Sequence, residues 1–431
     1  MNLPKARVYN GGRGGKRTGV VVAAGRAVQD EQGLFHPLGL TCFWAMQGWK
    51  HERPRFQQNA EWAASKGFDY LRILTEVNWK GREIDPSSPA WSDWGTVLRE
   101  VMDYLYGLGL RVELTLIGKG TATDPIWLAR EVGAIVAEGR QHMVVDLECC
   151  NEYAVGDHKV SIGTLIAMAY ELKARTPNII ALSSPGTWPT LEAGATMAGI
   201  QGFTVHSDRG SSDFKWRQVR QPYDFKNTRL VAFNNEPPGP SSSVNTNTSP
   251  LQLAMMRALG VMCGGTGYVL HTGTGVFGDG QGHPTAGPRP ANFWEIDDID
   301  AIVAAVRGVD PLLPAGVENW QVANTQHLSG NVVPFQVSKD QHWEGSKGTG
   351  VNKAYAALAP DGRVIQMPIG VRGHVSMTAS YPLTGVTVFD PVTAQPVAGL
   401  TDRSFVRGEV LDLPGGGQDA MVAYIIHGRR A

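Results

Sequence analysis

Two short acidic stretches hold the residues best suited to chemistry. Asp146-Leu147-Glu148-Cys149-Cys150-Asn151-Glu152-Tyr153 closes one apolar run, and Ala232-Phe233-Asn234-Asn235-Glu236-Pro237 closes another. In β-strands, side chains two apart share a face. Glu148, Cys150 and Glu152 then point one way on the first run, and Ala232, Asn234 and Glu236 share a face on the second. Two carboxyls that meet over one hollow can divide the cleavage of an acetal: one protonates the leaving oxygen, the other attacks the carbon. Glycoside hydrolysis is the reaction this pairing suits. A separation of about 5 Å gives retention of configuration and about 6.5–9.5 Å gives inversion. Either glutamate alone reads equally well as a loop carboxylate or a structural ion-pair member, so the signal is the pair.

Positioning such a pair takes a regular scaffold, and the chain reads as one. Apolar strand-like runs occur at Leu38–Ala45, Tyr70–Glu76, Arg111–Ile117, Met143–Cys149, Ile179–Ser184, Phe203–His206, Leu230–Asn234 and Gly267–His271. Helix-like segments alternate with them, such as Phe56–Lys66, Val97–Leu108, Ile126–Ala137, Ser161–Arg175 and Leu251–Met262. Val97, Val101, Leu105 and Leu108 form a stripe at helical spacing. Asp124-Pro125 is a cap and first-turn pair for the third of these helices. Eight strand-then-helix units in about 270 residues predict a closed parallel (β/α)8 barrel. An open doubly wound sheet would place glycines after its first strand, where this chain has Trp44-Ala45-Met46-Gln47-Gly48-Trp49.

Flanking segments differ in pattern. Residues 1–37 read as a lead followed by a β-hairpin, 38–312 as the barrel, and 313–431 as a linker and a small antiparallel β-sandwich. Short strands from Ala354 onward, separated by turns such as Pro360-Asp361-Gly362, carry that last expectation. The glycine-rich run from Gly264 to Gly282 reads as a flexible loop bordering the cleft.

Composition narrows the function. Lys and Arg number 39 against 40 Asp and Glu, for a net charge of −1. Such a balance argues against a nucleic-acid partner, which needs a basic surface. The four cysteines include no CxxC pair, so neither a disulfide scaffold nor a zinc knuckle is expected. No apolar run suits a signal peptide or a membrane span. The expectation is a cytoplasmic protein, or one released by lysis or a non-classical route, with no membrane partner.

Glu148-x-x-Asn151-Glu152 at the end of the fourth strand, with a glutamate ending the seventh, resembles the pattern of clan A glycoside hydrolases. These are the cellulase, mannanase and β-galactosidase-like (β/α)8 retaining enzymes. The resemblance implies Glu152 as acid/base and Glu236 as nucleophile. It implies that Asn151 bonds the sugar 2-hydroxyl, that Arg72 on the second strand steadies the nucleophile, and that His206 ends the sixth strand beside it. Tyr153 stands where proline is usual, and His206-Ser207-Asp208 replaces the common His-x-Tyr.

Other residues fit a sugar cleft. Trp44, Trp79, Trp188 and Trp216 fall just beyond the ends of strands one, two, five and six, where indole faces can stack on pyranose rings. His271 ends the eighth strand and joins the substrate-binding candidates. A cation held by His206, Asp208 and His271 is the weaker reading, and no cofactor is expected. The favoured function is retaining hydrolysis of a β-linked oligo- or polysaccharide. The rivals are a non-catalytic carbohydrate-binding or structural protein on the same barrel, and a metal-dependent hydrolase.

Overall fold

Runs such as Tyr70–Glu76 and Arg111–Ile117 are buried along their whole length. Strands covered on both faces belong inside a parallel sheet flanked by helices, and the chain builds one. A computed structural model describes residues 17–120, 123–153, 160–184, 199–207, 215–240, 247–280, 289–324, 332–337, 354–415 and 421–431.

The N-terminal segment forms β1 (Val22–Ala24), β2 (Ala27–Asp30) and β3 (Gly33–Phe35), an antiparallel meander. The expected β-hairpin gains a third strand because Gly25, at φ 66°, turns the chain between β1 and β2. Val21, Val28 and Phe35 pack against Tyr70, Val145, Ile179, Val231, Phe233 and Val269, sealing the N-terminal end of the barrel.

The barrel strands are β4 (Leu38–Thr41), β5 (Tyr70–Glu76), β6 (Arg111–Ile117), β7 (Val144–Cys150), β8 (Ile179–Ser184), β9 (Gly202–His206), β10 (Val231–Glu236) and β11 (Gly265–Leu270). They close in the order β10-β11-β4-β5-β6-β7-β8-β9, with all neighbours parallel. This is a (β/α)8 barrel, as the alternating pattern predicts. The helix Trp94–Gly107 buries Val97, Leu98, Val101, Met102 and Leu105. Asp124 caps the helix Pro125–Ala137 by accepting from the Ile126 amide at 2.9 Å.

The glycine-rich run is not a plain loop. It supplies β11 and a short helix, Gly273–Phe277. Small residues are needed there because the chain lies against its neighbours: a Cβ on Gly275 would come within 2.1 Å of the Thr41 carbonyl oxygen.

The C-terminal segment forms two antiparallel sheets, consistent with a β-sandwich. Its strands are β12 (Gln321–Asn324), β13 (Phe335–Val337), β14 (Ala354–Leu358), β15 (Arg363–Arg372), β16 (Val375–Ala379), β17 (Leu383–Phe389), β18 (Arg403–Phe405), β19 (Val410–Leu413), β20 (Met421–Ala423) and β21 (Ile425–Arg430). The larger sheet runs β12-β14-β15-β21-β17-β18, with β20 beside β15, and the smaller runs β13-β16-β19. Phe335, Met377, Val388, Phe405, Leu411 and Ile426 share the core between them. β12 and β13 arise inside the expected linker. The larger sheet packs on the barrel wall, where Arg220 donates to the Ile369 carbonyl at 3.4 Å and the Tyr223 and Tyr355 rings lie 4.8 Å apart. Among the described residues, no helix is long and apolar enough to cross a membrane.

Candidate active site

The site sits at the C-terminal ends of the barrel strands and is organised by one buried cation. Arg72 on β5 is fully buried. Its Nη1 donates to Glu236 Oε1 at 2.7 Å, and its Nη2 donates to Glu148 Oε2 at 2.7 Å and Asn151 Oδ1 at 2.8 Å. Its Nε lies 3.0 Å from Glu113 Oε1 and donates to Thr115 Oγ1 at 3.2 Å. Burial opposes the guanidinium charge, but Glu148, Glu236 and Glu113 outweigh it and hold Arg72 charged. Five side chains are thereby oriented by one planar group.

Two backbone irregularities bring the two glutamates together. Strict alternation would turn Asn235 away from Glu236. The β9–β10 register shifts between Asn234 and Glu236, so that Glu236 pairs with His206 and Asn234 with Val205. With this bulge Asn235 reaches Glu113 Oε1 at 3.0 Å and Glu148 Oε1 at 3.2 Å, while Glu236 still reaches Arg72. Re-aiming a side chain beside a site is what a bulge does. At the end of β7, Glu152 adopts φ 43°, the left-handed region that non-glycine residues seldom occupy. Its amide donates to Ser183 Oγ at 3.2 Å. Strain of this kind gathers at functional sites.

The result is a compact cluster. His206 Nδ1 lies 2.9 Å from Glu152 Oε1 and 3.4 Å from Glu236 Oε2. A carboxylate oxygen of each glutamate and a ring nitrogen of His206 all lie within 4.8 Å of one another. The Glu152 side chain is 28 % exposed and that of Glu236 5 %, so the cluster opens to solvent on the Glu152 side.

Glu148 has a different place. It is fully buried and accepts from Arg72, Thr115, Thr204 and Asn235. Beneath it, Glu113 and Asp146 face each other across β6 and β7. Burial, abetted by Glu148, pushes the Glu113 carboxyl up to about 8 against the pull of Arg72, whose charge is shared with two other glutamates. Burial, together with Glu113 and Glu148, raises Asp146 well above the usual carboxylate range.

The aromatic expectations divide. Trp44 is 1 % exposed and wedged edge-on to Phe56, its Nε1 bonded to the Thr274 carbonyl at 3.0 Å. It is a packing residue and offers no open ring face, which corrects the expectation of a sugar platform. Trp216 is corrected likewise: it is 5 % exposed and packs on Gly370 of the C-terminal sheet. Trp188 and Asp208 lie outside the described residues. Trp79 is half-buried between Phe43, at 5.9 Å between centroids, and Phe277, at 5.8 Å. Phe43 in turn lies 4.8 Å from the Arg72 guanidinium carbon, so an aromatic wall leads from the buried cation towards the rim. Phe43 and Phe277 were not singled out from sequence, although both lie just past barrel strands.

His271 is 1 % exposed, pairs with Thr41 Oγ1 at 3.0 Å and backs the Phe43 ring. It is not part of the ligand cluster. Among the described residues, the group of His, Cys, Asp and Glu side chains placed to share a metal is Glu152, His206 and Glu236; the expected set of His206, Asp208 and His271 includes a residue outside the described ones.

No family model and no curated protein matches the chain. Solved structures do. A glycoside hydrolase family 5 protein from Bacteroides vulgatus ATCC 8482 superposes with a TM-score of 0.64 at 10 % identity, over 96 % of this chain and 94 % of its own. Another glycoside hydrolase superposes with a TM-score of 0.60 at 10 % identity, over 96 % of this chain and 97 % of its own. The protein therefore shares the fold of these glycoside hydrolases, with its terminal sheets included in the covered length.

Proposed function

We propose that the chain is a retaining glycoside hydrolase that cleaves a β-linked glycan by double displacement. The observation that supports this most is the cluster itself: Glu152 and Glu236 offer carboxylate oxygens within 4.8 Å of each other, with Arg72 bonded to only one of the two. The spacing belongs with the short separation of retaining enzymes rather than the long one of inverting enzymes.

The geometry supports a division of labour. Arg72 grips Glu236 Oε1 and neutralises its carboxylate, and Oε2, on the His206 side, is the attacking atom. Glu152, more exposed and on the opposite strand, protonates the departing glycosidic oxygen. Glu236 Oε2 bonds to the anomeric carbon as the C–O bond to the aglycone breaks, giving a glycosyl ester. Glu152 then takes a proton from water, whose oxygen attacks the same carbon and releases Glu236. Arg72 is donor-only, so Asn151 must turn Oδ1 towards it. Its NH2 group is then the donor for the sugar 2-hydroxyl. Trp79 provides the stacking face along the wall.

The test is a panel of aryl β-glycosides and β-glycans with wild type, Glu152→Gln and Glu236→Ala. We expect Glu236→Ala to lose about 10⁴-fold or more in kcat/KM, and Glu152→Gln about 10²–10⁴-fold. Azide should restore turnover of an aryl glycoside by Glu236→Ala, giving a glycosyl azide of inverted configuration. Equal residual activity in all three proteins would mean a non-catalytic glycan-binding barrel.

A further inference from the structure

The same three side chains have a second capacity. Glu152, His206 and Glu236 present two carboxylate oxygens and one imidazole nitrogen within 4.8 Å of one another. Zinc takes such donors at about 2.0–2.2 Å, and many zinc sites use three protein ligands with a fourth position left open. Donors around a tetrahedral ion of that size stand about 3.3–3.6 Å apart. Of the separations from His206 Nδ1, that to Glu236, 3.4 Å, falls inside that range, and that to Glu152, 2.9 Å, is a few tenths of an ångström short of it. The mixed nitrogen and oxygen set suits zinc over magnesium, which prefers six oxygens and keeps its waters.

We infer that Zn²⁺ binds across Glu152, His206 and Glu236 and reversibly blocks the enzyme. The inhibitory half of this rests on the proposed function; the binding half rests on geometry alone. The ion would bridge the acid/base and the nucleophile where the anomeric centre must sit, so glycan and metal exclude each other. Access is from the Glu152 side, where the side chain is 28 % exposed. Metal-bound histidines usually donate their other ring nitrogen to an acceptor that fixes the ring. His206 Nε2 is buried with no such partner among the described residues. That favours a site that releases its ion over a permanent structural one.

The experiment titrates ZnCl2 into EDTA-treated, dialysed full-length protein by calorimetry. Activity is followed in parallel at several substrate concentrations. We expect one Zn²⁺ per chain, and inhibition that raises apparent KM, leaves kcat unchanged and is reversed by EDTA. MgCl2 should give neither heat nor inhibition. Zinc affinity should fall more than tenfold in His206→Ala and in the milder His206→Gln, with thermal melts confirming that each folds. His374→Ala removes an exposed histidine paired with Asp412 on the C-terminal sheet, and its zinc binding and activity should match wild type. Unchanged zinc affinity in both His206 variants, or no binding by wild type, overturns the site. Activity lost in EDTA and restored by Zn²⁺ overturns the inhibitory role and favours a metal-dependent hydrolase. If no glycan is cleaved, the proposed function fails, and calorimetry still decides the metal site.

Discussion

Carboxyls occur at two depths along the barrel axis, and they live by different rules. At the mouth, Glu152 and Glu236 flank His206 beside solvent, and one of them is tied to Arg72. A layer below, Glu113, Asp146 and Glu148 are sealed from water around the same guanidinium. One cation cannot neutralise four acids. Burial and mutual repulsion push the deeper pair, Glu113 and Asp146, towards the neutral form. Position on the strand, rather than residue type, decides whether a glutamate stands at the mouth or is sealed in the interior.

The sharpest way to break that contrast is to neutralise one acid of each kind. Glu236→Ala should remove nearly all activity, by about 10⁴-fold, and lower the melting temperature less than Glu148→Gln does, because Arg72 keeps Glu148 and Glu113. Glu148→Gln should do the reverse in emphasis. Its amide would face Arg72, and breaking a buried pair costs about 3–5 kcal/mol, read as a lower denaturation midpoint. Equal stability losses in the two variants would erase the division between mouth and interior.

Arg72 joins the two layers. Arg72→Met keeps the bulk but leaves Glu148 and Glu236 without their shared donor. We expect about 3 kcal/mol of destabilisation together with loss of kcat, whereas Arg72→Lys should recover part of the stability but little of the activity. A lysine supplies a point charge, not the planar fork that reaches Glu148, Asn151 and Glu236 at once.

The deeper layer also predicts a pH dependence. Glu113 is raised from 4.5 to about 8 in the folded chain, so the native state holds a proton that the unfolded state releases. Its contribution to stability is complete below about pH 4.5 and is lost as pH rises through about 8. Asp146 acts in the same direction. Glu113→Gln keeps an oxygen for Asn235 and Arg72 and cannot ionise. Denaturant unfolding at pH 5 and pH 9 should show the wild type losing on the order of 1–3 kcal/mol more than the variant across that interval.

Much of this scaffold was legible before any coordinates. Tyr70–Glu76, Arg111–Ile117 and Ile179–Ser184 match the expected strands because interior strands of a parallel barrel are continuous apolar runs bounded by turns. The residues of the cluster were legible for the same reason: they end such runs. Their aim was not. The bulge at Asn234–Glu236 and the left-handed turn at Glu152 are set by neighbouring strands, and no period-two rule foresees them. Short strands such as Gln321–Asn324 exist only through their partner, β14. Residues 403–413 likewise divide between the two sheets, with β18 beside β17 and β19 beside β16.

The tryptophans give the finest test, because sequence position alone made Trp44 and Trp79 equivalent. Each follows a barrel strand, yet one is 1 % exposed with its ring edge against Phe56, and the other stands half-buried in the wall between Phe43 and Phe277. Only the second can lend a face to a sugar. Trp79→Ala should therefore raise KM about tenfold, equivalent to about 1.4 kcal/mol of lost stacking, with kcat within about threefold of wild type. Trp79→Phe should restore most of the difference, since a smaller ring still offers a flat apolar surface. An unchanged KM for Trp79→Ala on long and short glycans alike would remove the wall from the substrate path and leave Trp79, like Trp44, a packing residue.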